Sequence, residues 1–127
     1  MCIRDRHNAD ALNYLGYMFA DKGVRLKEAH QLIEKALKLE PENAYYIDSL
    51  GWVFYRLGRL EDALREIKKS LQLLSQENKD DAIIREHLGD IYFAMGKEKE
   101  AIKAWRKALE LDPENKKVKK KIEKASR

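Results

Sequence analysis

Apolar residues recur along most of this chain at helical spacing. Ile47, Leu50, Gly51 and Phe54 fall at i, i+3, i+4 and i+7, and Leu60, Ala63, Leu64, Ile67 and Leu71 form a second stripe of the same kind. A 3.6-residue period of this sort marks one face of an amphipathic helix. Glycine-containing breaks interrupt the stripes at Asp21-Lys22-Gly23, Leu57-Gly58-Arg59 and Met95-Gly96-Lys97. Glycine supplies the left-handed residue that closes a helix. The pattern predicts seven helices, over 9–21, 25–40, 44–57, 60–75, 80–94, 98–111 and 115–126.

The helices come in similar pairs. Leu15-Gly16-Tyr17, Leu50-Gly51-Trp52 and Leu88-Gly89-Asp90 align, with the glycines 35 and 38 residues apart. Each is followed by an acidic residue and alanine, at Glu28-Ala29, Asp62-Ala63 and Glu100-Ala101. Seven residues beyond those alanines stand Ala36, Ser70 and Ala108. Two units close with nearly the same text, Leu39-Glu40-Pro41-Glu42-Asn43 and Leu111-Asp112-Pro113-Glu114-Asn115. Self-similarity at this period is the mark of a helical repeat array.

These units resemble tetratricopeptide repeats of a bacterial-type protein. The family's glycine falls on Gly16, Gly51 and Gly89, and its aromatic three residues later on Phe19, Phe54 and Tyr92. The small residue of the second helix falls on Ala29, Ala63 and Ala101, and the large one four residues on falls on Ile33, Ile67 and Trp105. The resemblance implies an all-α fold, a right-handed α-solenoid of three helix-turn-helix repeats with a C-terminal capping helix. The repeats would occupy 9–43, 44–81 and 82–115, with a basic cap at 116–127. The cap places Val118, Ile122 and Ala125 at i, i+4 and i+7 amid lysines. Residues 1–8 fit no part of the pattern and read as a non-native leader, so further repeats upstream are expected.

Departures from the pattern are also visible. The first repeat has one extra residue between Gly16 and Ala29, the second has Ser75 in place of the closing proline, and the link through Gln76–Asp81 is four residues longer than the family period. Arg85 stands where the family prefers a large apolar residue, so a looser second-to-third junction is expected there.

Composition narrows the function classes. The 127 residues include 44% hydrophobic and 38% charged residues, six Gly and two Pro, which excludes collagen-like and fully disordered chains. The net charge of +4 is uneven: from Glu114 to Arg127 seven Lys or Arg face two Asp or Glu, which leaves the rest of the chain at −1. A generally basic nucleic-acid surface is therefore poorly supported. A single cysteine, Cys2, excludes an internal disulfide framework. No apolar run nears the roughly 18 residues of a membrane span. Met1 to Arg6 also lacks a signal-peptide core. The cytoplasm is the default expectation, and the compartment is otherwise open.

No catalytic or cofactor motif is found, so no enzyme activity, metal or cofactor is expected. His7, His30 and His87 lack metal-ligand spacing, and His87 beside Glu86 and Asp90 reads as a helix-surface histidine.

The resemblance also implies where a ligand would lie, since first helices line the concave groove of such arrays. The residues six and three before the repeat glycine, and one, four and five after it, face that groove. They are Asp10, Asn13, Tyr17, Ala20 and Asp21, then Tyr45, Asp48, Trp52, Tyr55 and Arg56, then Ile83, Glu86, Asp90, Phe93 and Ala94. The candidate binding residues are Asn13, Tyr17, Tyr45, Asp48, Trp52, Tyr55, Arg56, Glu86, Asp90 and Phe93. Five aromatics beside five carboxylates suit a peptide with an apolar anchor and nearby Lys or Arg. Tyr45, Trp52 and Tyr55 would form one aromatic strip, with Trp52 and Asp48 outside the core. Chaperone-binding members of the family grip a peptide carboxylate with Lys, Asn and Arg, where Asn13, Tyr17, Asp48, Trp52, Glu86 and Asp90 stand here. Carboxylates would repel that ligand.

The reading is a non-enzymatic interaction module for a peptide or protein segment. The alternative is a structural segment of a longer array that self-associates through its N-terminal face, where Leu12, Leu15 and Phe19 would present apolar surface. Polyanion binding by the lysine tail comes third.

Overall fold

The computed structural model describes residues 3–127, with the side chains described from His7 onward. Met1 and Cys2, part of the expected leader, lie outside the described residues. The seven helices are α1 (Ile3–Lys22), α2 (Leu26–Leu39), α3 (Ala44–Arg56), α4 (Leu60–Gln76), α5 (Ala82–Ala94), α6 (Glu98–Leu111) and α7 (Lys116–Ala125). Most ends fall within one or two residues of those the sequence predicts. The exception is α1, which extends back to Ile3, so part of the expected leader is helical.

Local chemistry sets these ends. Asn43 caps α3, its side chain accepting from Tyr45 N and Tyr46 N at 3.0 and 3.2 Å. Asp81 caps α5 and Asn115 caps α7 in the same way, accepting from Ile84 N and Val118 N. Such caps satisfy amides that a first helical turn leaves unpaired. At the turn inside each pair, Gly23, Gly58 and Gly96 take positive φ. The residue after each glycine bonds back to Phe19, Phe54 or Tyr92 O at 2.9–3.0 Å. The first repeat keeps this closure and adds Arg25, also left-handed at φ 48°, before α2 begins. One residue inserted after a completed cap leaves the helix packing untouched.

The longer link after the second repeat is absorbed differently. α4 has 17 residues where α2 and α6 have 14. It closes on Asn78 at φ 58°, with Lys79 N bonded to Leu74 O. Ser70, which replaces the alanine of the other repeats, is fully buried and donates its hydroxyl to Ala44 O at 2.6 Å. A buried hydroxyl without such a partner would cost about 1–3 kcal/mol.

The chain divides into two compact units, one up to Leu73 and one from Leu74 onward. In the first, Ala20, Ala29, Ile33, Trp52 and Val53 form the main core, and Ala9, Ala36 and Tyr46 form a second cluster. The Tyr46 hydroxyl donates to Asp10 and lies 3.0 Å from Glu40 Oε2. Burial, followed by these two carboxylates, raises its pKa far above the ordinary phenol range, so it stays a donor. In the second unit, Ala101, Trp105, Ala108 and Val118 form the core, with Ile122 and Ala125 of α7 packed on it.

Each repeat glycine is where its two helices meet. A Cβ on Gly16 would lie 2.7 Å from Ile33 Cγ1, and one on Gly51 would lie 2.8 Å from Ile67 Cδ1. On Gly89 it would strike the Trp105 ring. Gly58, by contrast, has open space around it and only its positive φ to protect. Gly89→Leu should therefore lower stability by about 3 kcal/mol through overpacking. Gly58→Leu should cost about 1 kcal/mol. Denaturant midpoints that fall equally for the two variants would contradict this packing.

Candidate functional site

The expected binding residues divide between the two units. Asn13, Tyr17, Tyr45, Asp48, Trp52, Tyr55 and Arg56 belong to the first, and Glu86, Asp90 and Phe93 to the second.

In the first unit Trp52 is a core residue. It is 7% exposed and clusters with the fully buried Ala20 and with Tyr17 of α1. Asp48 is also buried, at 6%. The expectation that both stand outside the core is thus corrected. Ala20 of α1 and Ala29 and Ile33 of α2 belong to the same cluster as Trp52. The aromatic strip is correspondingly shorter than expected. Trp52 and Tyr55 stack with ring centroids 4.6 Å apart and planes 16° from parallel. Tyr45, two helical turns earlier, is 48% exposed. Tyr17 and Tyr55 are half-buried, and Arg56 is exposed with its guanidinium close to Gly23. Asn13 is half-buried, and its enclosed Oδ1 has no hydrogen-bond partner among the described residues.

The carboxylates do more structural work than the sequence suggests. Asp10 receives the Tyr46 hydroxyl. In the second unit Lys121 of α7 reaches α5, its ammonium donating to Glu86 Oε2 at 2.6 Å and to both Asp90 oxygens at 2.9 and 3.1 Å. Trp105 Nε1–H donates to the same Asp90 Oδ1 at 3.1 Å, and Asn115 Nδ2 to Glu86 at 3.4 Å. Burial pushes the Asp90 carboxyl above its ordinary value, against the pull of Lys121. Burial acts to lower Lys121, but its bonds to Glu86 and Asp90 outweigh this and raise it. The sequence singles out Glu86 and Asp90 as a ligand's counter-charges; here a lysine of the same unit takes that place. Phe93 is 46% exposed, with its ring centroid 5.6 Å from that of Trp105.

His87 is buried rather than on the helix surface as expected, because it lies on the inner face of α5 with Ile84, Leu88 and Ile91. His30 on α2 lies 2.9 Å from Glu34 Oε1. Among the described residues no group of three or more His, Cys, Asp or Glu could hold a metal, and no helix is long and apolar enough to cross a membrane.

Paired helices meeting at a glycine, each pair followed by a capped helix, define a helix-turn-helix repeat protein. The sequence model of the tetratricopeptide repeat family matches residues 40–114, and the chain belongs to that family. Over 69 residues, 54% of its length, it is 49% identical to the TPR repeat-containing protein PA4667 of Pseudomonas aeruginosa. It covers 12% of that longer protein. In fold it is similar to the first TPR of Spaghetti (RPAP3) bound to the HSP90 peptide SRMEEVD, with a TM-score of 0.81 and 22% identity over 94% of each chain. An O-GlcNAc transferase of Thermobaculum terrenum gives a TM-score of 0.84 at 21% identity, over 98% of this chain and 23% of the transferase. The expected all-α solenoid class is the class of these structures.

Two outcomes follow from the geometry. Trp52→Ala should destabilise the first unit by about 3–5 kcal/mol, the cost of deleting a buried indole. Urea denaturation followed by circular dichroism measures it. Lys121→Met should cost about 1.5–3 kcal/mol at neutral pH, the scale of hydrogen bonds to charged groups. A raised lysine pKa gives stability that is complete below the unfolded value of 10.5 and is lost as pH rises through the folded one. The gap between wild type and Lys121→Met should accordingly close above pH 10.5. A gap that stays constant through pH 12 would contradict the role of the ammonium.

Proposed function

We propose that the chain is a non-enzymatic interaction module that binds a peptide or protein segment on the first helix of a repeat. The observation that carries this reading is the exposure of Tyr45 on α3 and Phe93 on α5, large rings left to solvent on first helices. Tyr17, Tyr55, Arg56 and Asn13 belong to the same set. Rigid aromatic side chains offer large contact area at little entropic cost and are common binding anchors. The first TPR of Spaghetti, bound to an HSP90 peptide, supports peptide binding as a use of this fold. That peptide, SRMEEVD, is rich in carboxylates; here Asp48 is buried and Glu86 and Asp90 are bonded to Lys121, so these carboxylates do not decide the sign of a ligand's charge. The ligand class proposed is a segment with an apolar anchor that packs against these rings.

A second reading rests on a separate observation. Tyr14 is 67% exposed on α1 and Leu15 is exposed beside it, whereas Leu12 and Phe19 pack partly into the core. Exposed apolar surface of this sort suits a further repeat or a second copy. Sedimentation across a concentration range tests it, and a strict monomer at high concentration would count against self-association. Polyanion binding through Lys119 and Lys120, both exposed on α7, comes third.

Because Trp52 is core, Tyr45 is the better probe of the groove. Tyr45→Ala should weaken partner binding about tenfold or more, near 1.4 kcal/mol, and leave the unfolding midpoint close to wild type. Capture of partners by wild type and variant, followed by titration of those lost, measures this. A ligand bound equally well by Tyr45→Ala and Phe93→Ala would remove the basis for the proposal.

A further inference from the structure

The second unit contains a groove of about 850 Å³ between α5 and α6, away from the Lys121 network. Its apolar lining is Leu88, Tyr92 and Ile102, and its cationic lining is Arg85, Lys99, Lys103, Arg106 and Lys107. Only Glu100 and Glu110 oppose these charges. Glu110 lies 3.4 Å from Lys107, and Arg85 forks onto Asp80 at 3.0 and 3.2 Å. Among the described residues Lys99, Lys103 and Arg106 form no ion pair within 4.0 Å.

Comparison with the chain's own repeats shows that the residues lining this groove are particular to the third. Four residues before the repeat glycine stand Leu12 and Ile47 in the first two repeats, the latter fully buried, and Arg85 in the third. An apolar filler has been replaced by a charged side chain that turns to Asp80, and the groove lies beside it. On the second helix, the places of Lys99, Lys103, Arg106 and Lys107 are held in the first repeat by Lys27, Gln31, Glu34 and Lys35. In the second repeat they are held by Glu61, Arg65, Lys68 and Lys69. Only in the third are all four positive. Residues at i, i+4, i+7 and i+8 share one helix face, so α6 turns a continuous cationic row along the groove.

We propose that this groove is a second docking site, distinct from the first-helix surface above, for an acidic polypeptide segment carrying an apolar side chain. Charge complementarity names the occupant's sign. The apolar lining and the interspersed Glu100 and Glu110 argue for a peptide over a nucleic acid or an anionic membrane. A uniformly charged phosphate chain would meet both glutamates and gain nothing from Leu88 and Ile102. A peptide of Asp or Glu with Leu or Phe between them matches the cationic and the apolar parts of the lining and can place its apolar residues beside the two glutamates.

The test is a selection of displayed random twelve-residue peptides on the full chain, followed by titration of the winners. Acidic, leucine- or phenylalanine-containing peptides should be enriched, and should bind at least tenfold more weakly to the Lys103→Glu/Arg106→Glu double variant. They should also lose affinity for Arg85→Leu, which restores the filler of the other repeats and should fold at least as well. Binding should be unchanged by Tyr45→Ala and by charge reversal of Lys119 and Lys120. Absence of acidic winners, or winners indifferent to both groove variants, would overturn the proposal. So would tighter binding of a single-stranded oligonucleotide or of phosphatidylserine vesicles at the same residues.

Discussion

Everything in this fold depends on how closely the two helices of a pair approach at one glycine. Gly16, Gly51 and Gly89 each leave out a Cβ that would collide with Ile33, Ile67 or Trp105. The bulky residue opposite fills the space a side chain would have taken. Protein interiors are packed to near crystalline density, so such an exchange of volume across an interface has little slack. The small residues Ala29, Ala63 and Ala101, fully buried four residues before each bulky one, extend the same fit along the second helix. Without that approach neither helix of a pair would bury its apolar stripe.

That constraint explains why so much of the fold is legible in the sequence. The signals that set helix ends are local: a capping Asn or Asp before α3, α5 and α7, and a left-handed glycine after α1, α3 and α5. Local signals survive translation into structure because no distant partner needs to be known. The departures were absorbed where the chain is most tolerant, as an extra turn residue at Arg25 and a longer α4.

The candidate site was less legible, for a physical reason that Trp52 illustrates. Its place just after the repeat glycine lies where a side chain can face solvent or lodge against the preceding first helix. The decision rests on residues of other helices, Ala20, Ala29 and Ile33 among them, that lie far from Trp52 in sequence. Glu86 and Asp90 show the same dependence. Which of seven cations near the C-terminus would meet them is fixed by the register of α7 on α6, through Val118 and Ile122. Tyr45 and Phe93 remain about half exposed. His87 was misplaced because adjacent carboxylates suggested a polar face, whereas its position on α5 puts it with Ile84 and Ile91.

The distribution of the two tryptophans has a practical consequence. Trp52 lies in the core of the first unit and Trp105 in the core of the second, so each unit contains one indole. Their surroundings differ: Trp52 is stacked on a phenol ring, whereas Trp105 donates its N–H to a carboxylate that also receives an ammonium. Intrinsic fluorescence should therefore report on each half of the chain through its own indole. Replacing either indole by phenylalanine leaves a native optical reporter for the melting of the other half, without an attached dye.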